Sequence, residues 1–153
     1  MTDDDLTIAH SISIEATPER VWRFLTEPEY VSQWLGCLRY EKALGHVFYM
    51  QQDDAKRAGN DIDGATHCEI LALDEPSRFS FSWYLPNTPA TEVHICLEAR
   101  GPATEVTLVH KGWGQFDAKM IRGIRDALAG GWKSFVLPNL KRVVENGGQT
   151  PAA

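Results

Sequence analysis

The feature that most constrains this chain is a long amphipathic pattern near its C-terminus, between residues 114 and 146. Large apolar residues recur at every fourth position in its first half, and the stripe continues afterwards at steps of three and four. The stripe consists of Phe116, Met120, Ile124, Leu128, Trp132, Phe135, Val136, Leu140, Val143 and Val144. Asp117 can act as the N-cap, and Asn146 with the two glycines after it ends the pattern. The spacing predicts one long helix over 117–146 with a buried face.

This helix carries unfavourable residues in its middle. Gly123, Gly130 and Gly131 each disfavour a helix interior by about 1 kcal/mol relative to alanine. Pro138 has no N–H to donate, and its ring crowds the carbonyl of Ser134. The sequence therefore predicts a departure from regular geometry between Gly130 and Pro138. Close packing with a bend is the simpler interpretation, and a hinge beside a pocket is the alternative.

Composition and charge exclude several classes of function. A net charge of −6 argues against binding to nucleic acid or to an anionic membrane through bulk electrostatics. No apolar run approaches the roughly eighteen residues of a membrane helix, and the acidic N-terminus does not resemble a signal peptide. The three cysteines, Cys37, Cys68 and Cys96, are odd in number and widely spaced, and none belongs to a C-x-x-C pair. We expect reduced, mostly buried thiols in a cytoplasmic protein without nucleic-acid or membrane partners.

The chain before the long helix begins with a strand and two short helices. A half-buried strand is indicated between residues 7 and 16 by its alternating set, Ile8, His10, Ile12 and Ile14. Thr17 and Pro18 then form an N-cap followed by proline at the first helical position. Two short apolar helical faces follow near residues 18–36, ending at a glycine.

The middle of the chain predicts five or six further strands joined by short turns. One face of the strand at 78–84 carries Phe79, Phe81 and Trp83. One face of the strand at 105–111 carries Val106, Leu108 and His110. Both faces must point inward, because a slip of one residue would expose three large side chains on each strand. The polar segment 53–64 predicts a mobile surface loop.

This order of elements predicts an α+β fold. Consecutive strands with short connections form an antiparallel sheet, and only the C-terminal helix is long enough to cover it. We expect a curved antiparallel β-sheet wrapped around the long C-terminal helix, with two short helices after the first strand. The whole chain, 1–153, is predicted to be one domain, with a flexible tail at 147–153.

Four stretches of the sequence resemble a known family. They are IEATPERVWRFLTEPEYVSQWL at 14–35, LALDEPSRFSFSW at 71–83, TEVTLVHKGW at 104–113 and GGWKSF…LKRVVENG at 130–147. Together they resemble the START-like helix-grip superfamily (SRPBCC), in the branch of Hsp90 ATPase activator homologue C-terminal-like proteins. The last stretch departs from the family pattern, since its spacing around Pro138 is one residue longer. Because the full eukaryotic activator has two domains, its chaperone-stimulating role does not transfer by default.

The resemblance implies a deep cavity between helix and sheet that takes apolar or aromatic small molecules. Fold alone does not select the ligand. The candidate ligand-binding residues are Trp34, Phe81, Trp83, His110, Trp113, Met120, Ile124 and Trp132. His110 is interpreted either as a core histidine with satisfied nitrogens or as the polar handle of a pocket whose apolar wall includes Trp83. The aromatic residues can equally fill the core.

Catalytic and metal motifs do not stand out in this sequence. There is no nucleophile elbow, phosphate-binding loop, H-E-x-x-H or complete dinucleotide fingerprint. His67 and Glu69 supply two ligands on one strand face, which is too few for a metal site. We therefore expect no cofactor, no metal and no assigned catalytic residue.

Three hypotheses for function remain open at this point. The leading one is a binding protein, monomeric or weakly dimeric, that holds a small hydrophobic or aromatic molecule. The second is an enzyme of cyclase, aromatase or hydrolase type, with His110 as acid or base, assisted by Tyr49 or Glu69. The third is an interaction module, such as a partner of a chaperone or a stress-response protein, which requires an exposed apolar patch.

Overall fold

The computed structural model describes residues 7–35, 37–51, 53–84, 89–112, 126 and 128–146. Its strands are β1 (Ile8–Ile14), β2 (Cys37–Leu38), β3 (Val47–Met50), β4 (Thr66–Asp74), β5 (Arg78–Trp83), β6 (Thr91–Arg100) and β7 (Ala103–Lys111). Its helices are α1 (Pro18–Thr26), α2 (Pro28–Leu35), α3 (Asp54–Ala58), a π-helical turn (Trp132–Val136) and α4 (Leu137–Glu145). We call residues 128–145, which are helical throughout, the described C-terminal helix. No helix among the described residues is long and apolar enough to cross a membrane.

The strands form one curled, antiparallel sheet of seven strands in the order β1-β7-β6-β5-β4-β3-β2. Val93 on β6 lies opposite Phe81 on one side and His110 on the other. Because residues directly opposite one another share a face, the aromatic row of β5 and the row ending at His110 both line the inner face. The predicted fold class is confirmed, and so is the shared orientation of these two rows.

The two short helices begin where the sequence indicates. Thr17 caps α1, since its Oγ1 accepts a hydrogen bond from the Arg20 N–H at 3.3 Å, and Pro18 occupies the first turn. The α1 face that meets the core is buried and consists of Val21, Trp22, Phe24, Leu25 and Thr26. This helix contacts α2, α4, β6 and β7, so it lies across the inner side of the sheet.

The described C-terminal helix contains the predicted irregularity. The N–H of Leu137 donates to the carbonyl of Trp132, five residues back, which is the hydrogen bond of a π-helical turn. Such a turn holds one more residue than an α-helical turn, which matches the longer spacing noted around Pro138. Pro138 follows directly, where a regular helix would require the N–H that proline lacks. The predicted helical residues 117–125, including Asp117 and Gly123, lie outside the described residues.

Polar contacts of this helix cover the free edge of β1. Lys141 Nζ donates to the Ser13 carbonyl at 2.7 Å, and the Glu145 carboxylate accepts the Glu15 N–H at 2.9 Å. His10 Nε2 donates to the Ala129 carbonyl at 3.1 Å, so a side chain of β1 also reaches the helix. Unpaired strand edges invite association with other chains, and these contacts occupy this one.

Residues 53–64 differ from the predicted loop because they contain α3. Asp53 caps this helix by accepting the Lys56 N–H at 3.0 Å. The side chain of Gln51 is buried and donates to the carbonyls of Asp61 and Asp63, both at 3.0 Å. A glutamine outside the polar segment thus anchors it, which the composition of the segment did not reveal.

The π-helical turn has a structural purpose that a deletion can test. We expect deletion of Ser134 combined with Pro138→Ala to lower the free energy of unfolding by less than about 1 kcal/mol. The regular helix that results still places Trp132 and Leu140 on one face, since seven residues make about two turns. Urea denaturation of the variant and the parent measures the change.

Deletion of Arg142 with the same Pro138→Ala change is the matched control. It moves Val143 to the exposed position of Arg142 and brings Glu145 to the fully buried position of Val144. Because a valine leaves the core and an unpaired carboxylate enters it, the free energy of unfolding should fall by about 3 kcal/mol or more. Equal losses in the two deletion variants would show that the π-helical turn does not adjust the register of the helix.

Candidate functional site

Four residues meet at the inner face where β5 ends, β6 begins and β7 ends. Trp83 lies directly opposite Thr91, and His110 is on the neighbouring strand. Trp132, the first residue of the π-helical turn, approaches them from the helix side. The ring centroids of Trp83 and His110 are 5.6 Å apart, and those of His110 and Trp132 are 6.1 Å apart, both edge to face. We call Trp83, Thr91, His110 and Trp132 the histidine cluster.

A directional chain of hydrogen bonds connects the histidine cluster. Trp132 Nε1 donates to His110 Nδ1 at 3.2 Å, and an indole nitrogen can only donate. His110 Nδ1 therefore carries no proton, and the neutral ring has its proton on Nε2, which lies 2.7 Å from Thr91 Oγ1. The Thr91 hydroxyl in turn donates to the Trp83 carbonyl at 2.9 Å. Both ring nitrogens of His110 thus have protein partners.

Burial keeps His110 neutral. The residue is fully buried, and this burial lowers its pKa from 6.5 to about 3. Protonation of Nδ1 would also place an N–H against the N–H of Trp132, with no acceptor between them. A neutral imidazole with so low a pKa is a weak base, and it does not serve as a proton donor near neutral pH. The geometry suits a structural link and a polar interior wall.

The structure does not bring together the residues of the enzyme hypothesis. Tyr49 pairs with His67 across β3 and β4, while its neighbour Phe48 is fully buried on the inner face. Successive strand residues point to opposite faces, so Tyr49 lies on the outer face, away from His110. Glu69 is exposed on that outer face as well. An acid–base group made of His110 with Tyr49 or Glu69 is therefore not formed.

The remaining candidate residues occupy other places. Phe81 packs against Phe48 and Phe79, with both ring-centroid distances 5.4 Å, further along the inner face. The indole of Trp34, on α2, donates to the Phe24 carbonyl of α1 at 3.1 Å. Trp113, Met120 and Ile124 lie outside the described residues. The structure thus joins Trp83, His110 and Trp132 directly, and it places Phe81 on the same face and Trp34 in the helical layer.

Sequence reasoning missed two residues that shape the site. Thr91 alternates with Val93 and Ile95 on the inner face, so a polar residue in an otherwise apolar row was the available signal. Gly112 follows β7 with a φ of +96°, a conformation that residues with side chains rarely adopt. A Cβ at this position would lie 3.3 Å from the Thr91 Cα. The positive φ favours glycine there, and the close passage of the chain over Thr91 adds to this preference.

The described residues offer neither a metal site nor a reactive buried thiol. No group of three or more His, Cys, Asp or Glu side chains in the described part of the chain could hold a metal ion. Burial raises the pKa of Cys37 to about 12 and that of Cys68 well above its usual value. These two thiols stay protonated at neutral pH, and the third cysteine, Cys96, is exposed.

The family follows from comparison with known proteins. The family model described as "Activator of Hsp90 ATPase homolog 1-like protein" matches residues 15–145, which includes both short helices, all six later strands and the described C-terminal helix. The chain belongs to this family. The resemblance noted in the sequence is confirmed at the level of family and fold. A search of curated proteins found no significant match.

Several solved structures have a similar fold. Protein MLL2253 from Mesorhizobium loti has a TM-score of 0.74 at 23% identity, covering 92% of this chain and 97% of that one. DynU16, a protein of the dynemicin biosynthetic locus, has a TM-score of 0.72 at 23% identity, but this chain spans about half of it, 49%. The match with DynU16 covers 96% of this chain. The Aha1 dimer from Colwellia psychrerythraea has a TM-score of 0.65 at 20% identity, covering 94% and 98%. At these identities the likeness concerns the fold.

Removal of the Thr91 hydroxyl tests the hydrogen-bond chain. Thr91→Val preserves the shape of the side chain but removes both the acceptor for His110 Nε2–H and the donor to the Trp83 carbonyl. We expect the free energy of unfolding to fall by about 1–3 kcal/mol, the cost of buried groups that lose their partners. Thr107→Val, at a half-exposed position of the outer face, is the control and should change stability by less than about 0.5 kcal/mol. Equal losses of stability in the two variants would contradict the hydrogen-bond chain through Thr91.

The lowered pKa of His110 predicts a specific pH dependence. Below pH 6.5 the unfolded chain binds a proton at His110, whereas the folded protein does not until about pH 3. The stabilisation is therefore complete above pH 6.5 and decreases by up to about 1.4 kcal/mol per pH unit below it. His110→Gln keeps an acceptor and a donor but cannot titrate. Urea denaturation between about pH 5 and pH 7.5 should show a smaller slope for this variant; parallel slopes would contradict the assignment.

Proposed function

We propose that this chain is a single-domain cytoplasmic protein that holds a small hydrophobic or aromatic molecule between its C-terminal helix and the concave face of its sheet. The observation that supports this most is the character of the inner face at the histidine cluster. Aromatic rings from β5, β7 and the helix converge there, and the one ionisable member is held neutral. Planar apolar ligands are favoured by aromatic walls with few polar groups.

Family membership and similar structures support the same proposal. The fold joins this chain to proteins such as DynU16, which is described as a protein of the dynemicin biosynthetic locus. We infer an apolar or aromatic ligand for this chain from its own inner face, without an assigned reaction. The proposed lining remains the set identified from the sequence: Trp34, Phe81, Trp83, His110, Trp113, Met120, Ile124 and Trp132.

The assembly state and the chaperone partner remain proposals as well. The Colwellia psychrerythraea protein of similar fold is described as a dimer, which supports a weak homodimer as an alternative to a monomer. Among the described residues, the large apolar side chains with substantial exposure are Leu44 and Leu71, at 66% and 43%. Two such side chains make a small surface, so a stable partner-binding patch has little support in this part of the chain.

Native mass spectrometry of the protein purified from its own host tests the ligand proposal. We expect an additional small mass that remains in the folded protein and is released on denaturation. Trp83→Leu should lower the bound fraction, because it removes an aromatic wall of the histidine cluster.

Tyr49→Leu serves as the matched control, since it removes an aromatic ring from the outer face of the same sheet. The bound fraction should be unchanged in this variant. Absence of any bound mass in the parent protein, or equal loss in both variants, would overturn the proposal.

A further inference from the structure

Three buried tryptophans in the described residues differ in what their indole nitrogens contact. Trp34 Nε1 donates to the Phe24 carbonyl at 3.1 Å, and Trp132 Nε1 donates to His110 Nδ1 at 3.2 Å. The third, Trp22 on α1, is 2% exposed, yet its Nε1 has no hydrogen-bond partner. Leaving a buried donor unpaired costs about 1–3 kcal/mol, so an unpaired indole N–H in the core requires an explanation.

The hydroxyls of Thr26 and Tyr40 do not pair with this nitrogen. The hydroxyl of Thr26, one turn after Trp22 on α1, donates to the Trp22 carbonyl at 2.8 Å. The hydroxyl of Tyr40 donates to the Thr26 carbonyl. Both hydroxyls thus direct their hydrogens at backbone oxygens, and neither accepts from the indole. Trp22 Nε1 is thus buried without a hydrogen-bond partner.

A buried water at the same nitrogen would find few side-chain partners. An ordered interior water usually makes about three hydrogen bonds to groups that lack other partners. Within the described residues, Trp22 Nε1 is the one buried side-chain nitrogen or oxygen without a partner. A water at this position would therefore have a single side-chain partner of that kind.

Trp22 faces the same interior in which the ligand is proposed to lie. It belongs to the continuous buried core that includes Phe81 and Trp132, and α1 contacts β6, β7 and α4. The buried polar side chains of the described residues are uncharged: Thr26, Gln51, Ser80, Ser82, Thr91, Thr104 and the neutral His110. An ionised ligand group would find no opposite charge among them, and burial of an unpaired charge is strongly unfavourable.

We propose that Trp22 Nε1 is the polar contact of the ligand, and that the ligand is an uncharged, mostly apolar molecule with an acceptor such as a carbonyl oxygen. This inference rests on the proposed function and specifies the chemistry of its ligand. The indole N–H can only donate, so the ligand atom must be an acceptor. The apolar remainder of the ligand contacts the core side chains around it.

Two neutral fluorescent probes separate the acceptor from the apolar part. Nile red carries a carbonyl oxygen, whereas diphenylhexatriene is a hydrocarbon without an acceptor. We expect Trp22→Phe, which removes the N–H but keeps an aromatic ring, to weaken Nile red binding about 3- to 10-fold. Binding of diphenylhexatriene should change by less than about 2-fold, as expected for a contact without a hydrogen bond.

Trp34→Phe is the matched control, because it makes the same chemical change at an indole that already has a partner. Trp34→Phe should change the affinities for Nile red and for diphenylhexatriene by the same factor. A second measurement uses the unaltered protein labelled with 15N at its tryptophan indoles. Nile red should move the Trp22 N–H resonance downfield, while diphenylhexatriene should not, and the Trp34 and Trp132 resonances should move little with either probe.

The outcomes distinguish this inference from the proposed function. If neither probe binds the parent protein, the proposed function fails, and the inference fails with it. If both bind but Trp22→Phe weakens them equally or not at all, the ligand contact is overturned and the proposed function stands. The ligand contact would likewise be overturned if the Trp22 N–H contacts a bound water and its resonance does not change with Nile red.

Discussion

The chain of hydrogen bonds from Trp132 through His110 and Thr91 to the Trp83 carbonyl is the interaction on which the arrangement of helix and sheet depends. Each group in it has a fixed role. The indole donates to the neutral imidazole, the imidazole donates to the hydroxyl, and the hydroxyl donates to a backbone carbonyl. Reversal at any point would leave two donors or two acceptors facing each other. The chain therefore fixes both the tautomer of the histidine and the position of the helix.

The π-helical turn is a consequence of this attachment. Trp132 is fixed at the histidine cluster, and Leu140 is fully buried against the core at the other end of the helix. In a regular α-helix the eight steps from Trp132 to Leu140 would rotate the chain by about 800°, which is about 80° beyond two full turns. A π-helical turn absorbs that excess, so both side chains face the sheet. Pro138 lies directly after the turn, in the first turn of α4, where the lack of a backbone N–H costs little stability.

Much of the fold could be predicted because strand alternation and helical spacing are properties of the local sequence. Phe79, Phe81 and Trp83 lie on the face that the period of two assigned to them, and the irregular helix follows from glycines and a proline. The pairing of Thr91 with His110 depends on residues 19 apart that meet only through strand register. The unpaired nitrogen of Trp22 depends on what is absent around it, and no sequence pattern records such an absence.

The decisive measurement is the protonation state of His110, observed through its ring nitrogens by NMR as pH is lowered. The expected result is a neutral ring with its proton on Nε2, coupled to the Trp132 indole, that remains neutral at pH values well below 6.5 because its pKa is lowered to about 3. Titration of His110 near pH 6.5, or a proton on Nδ1 in the neutral form, would contradict the attachment of helix to sheet through this residue.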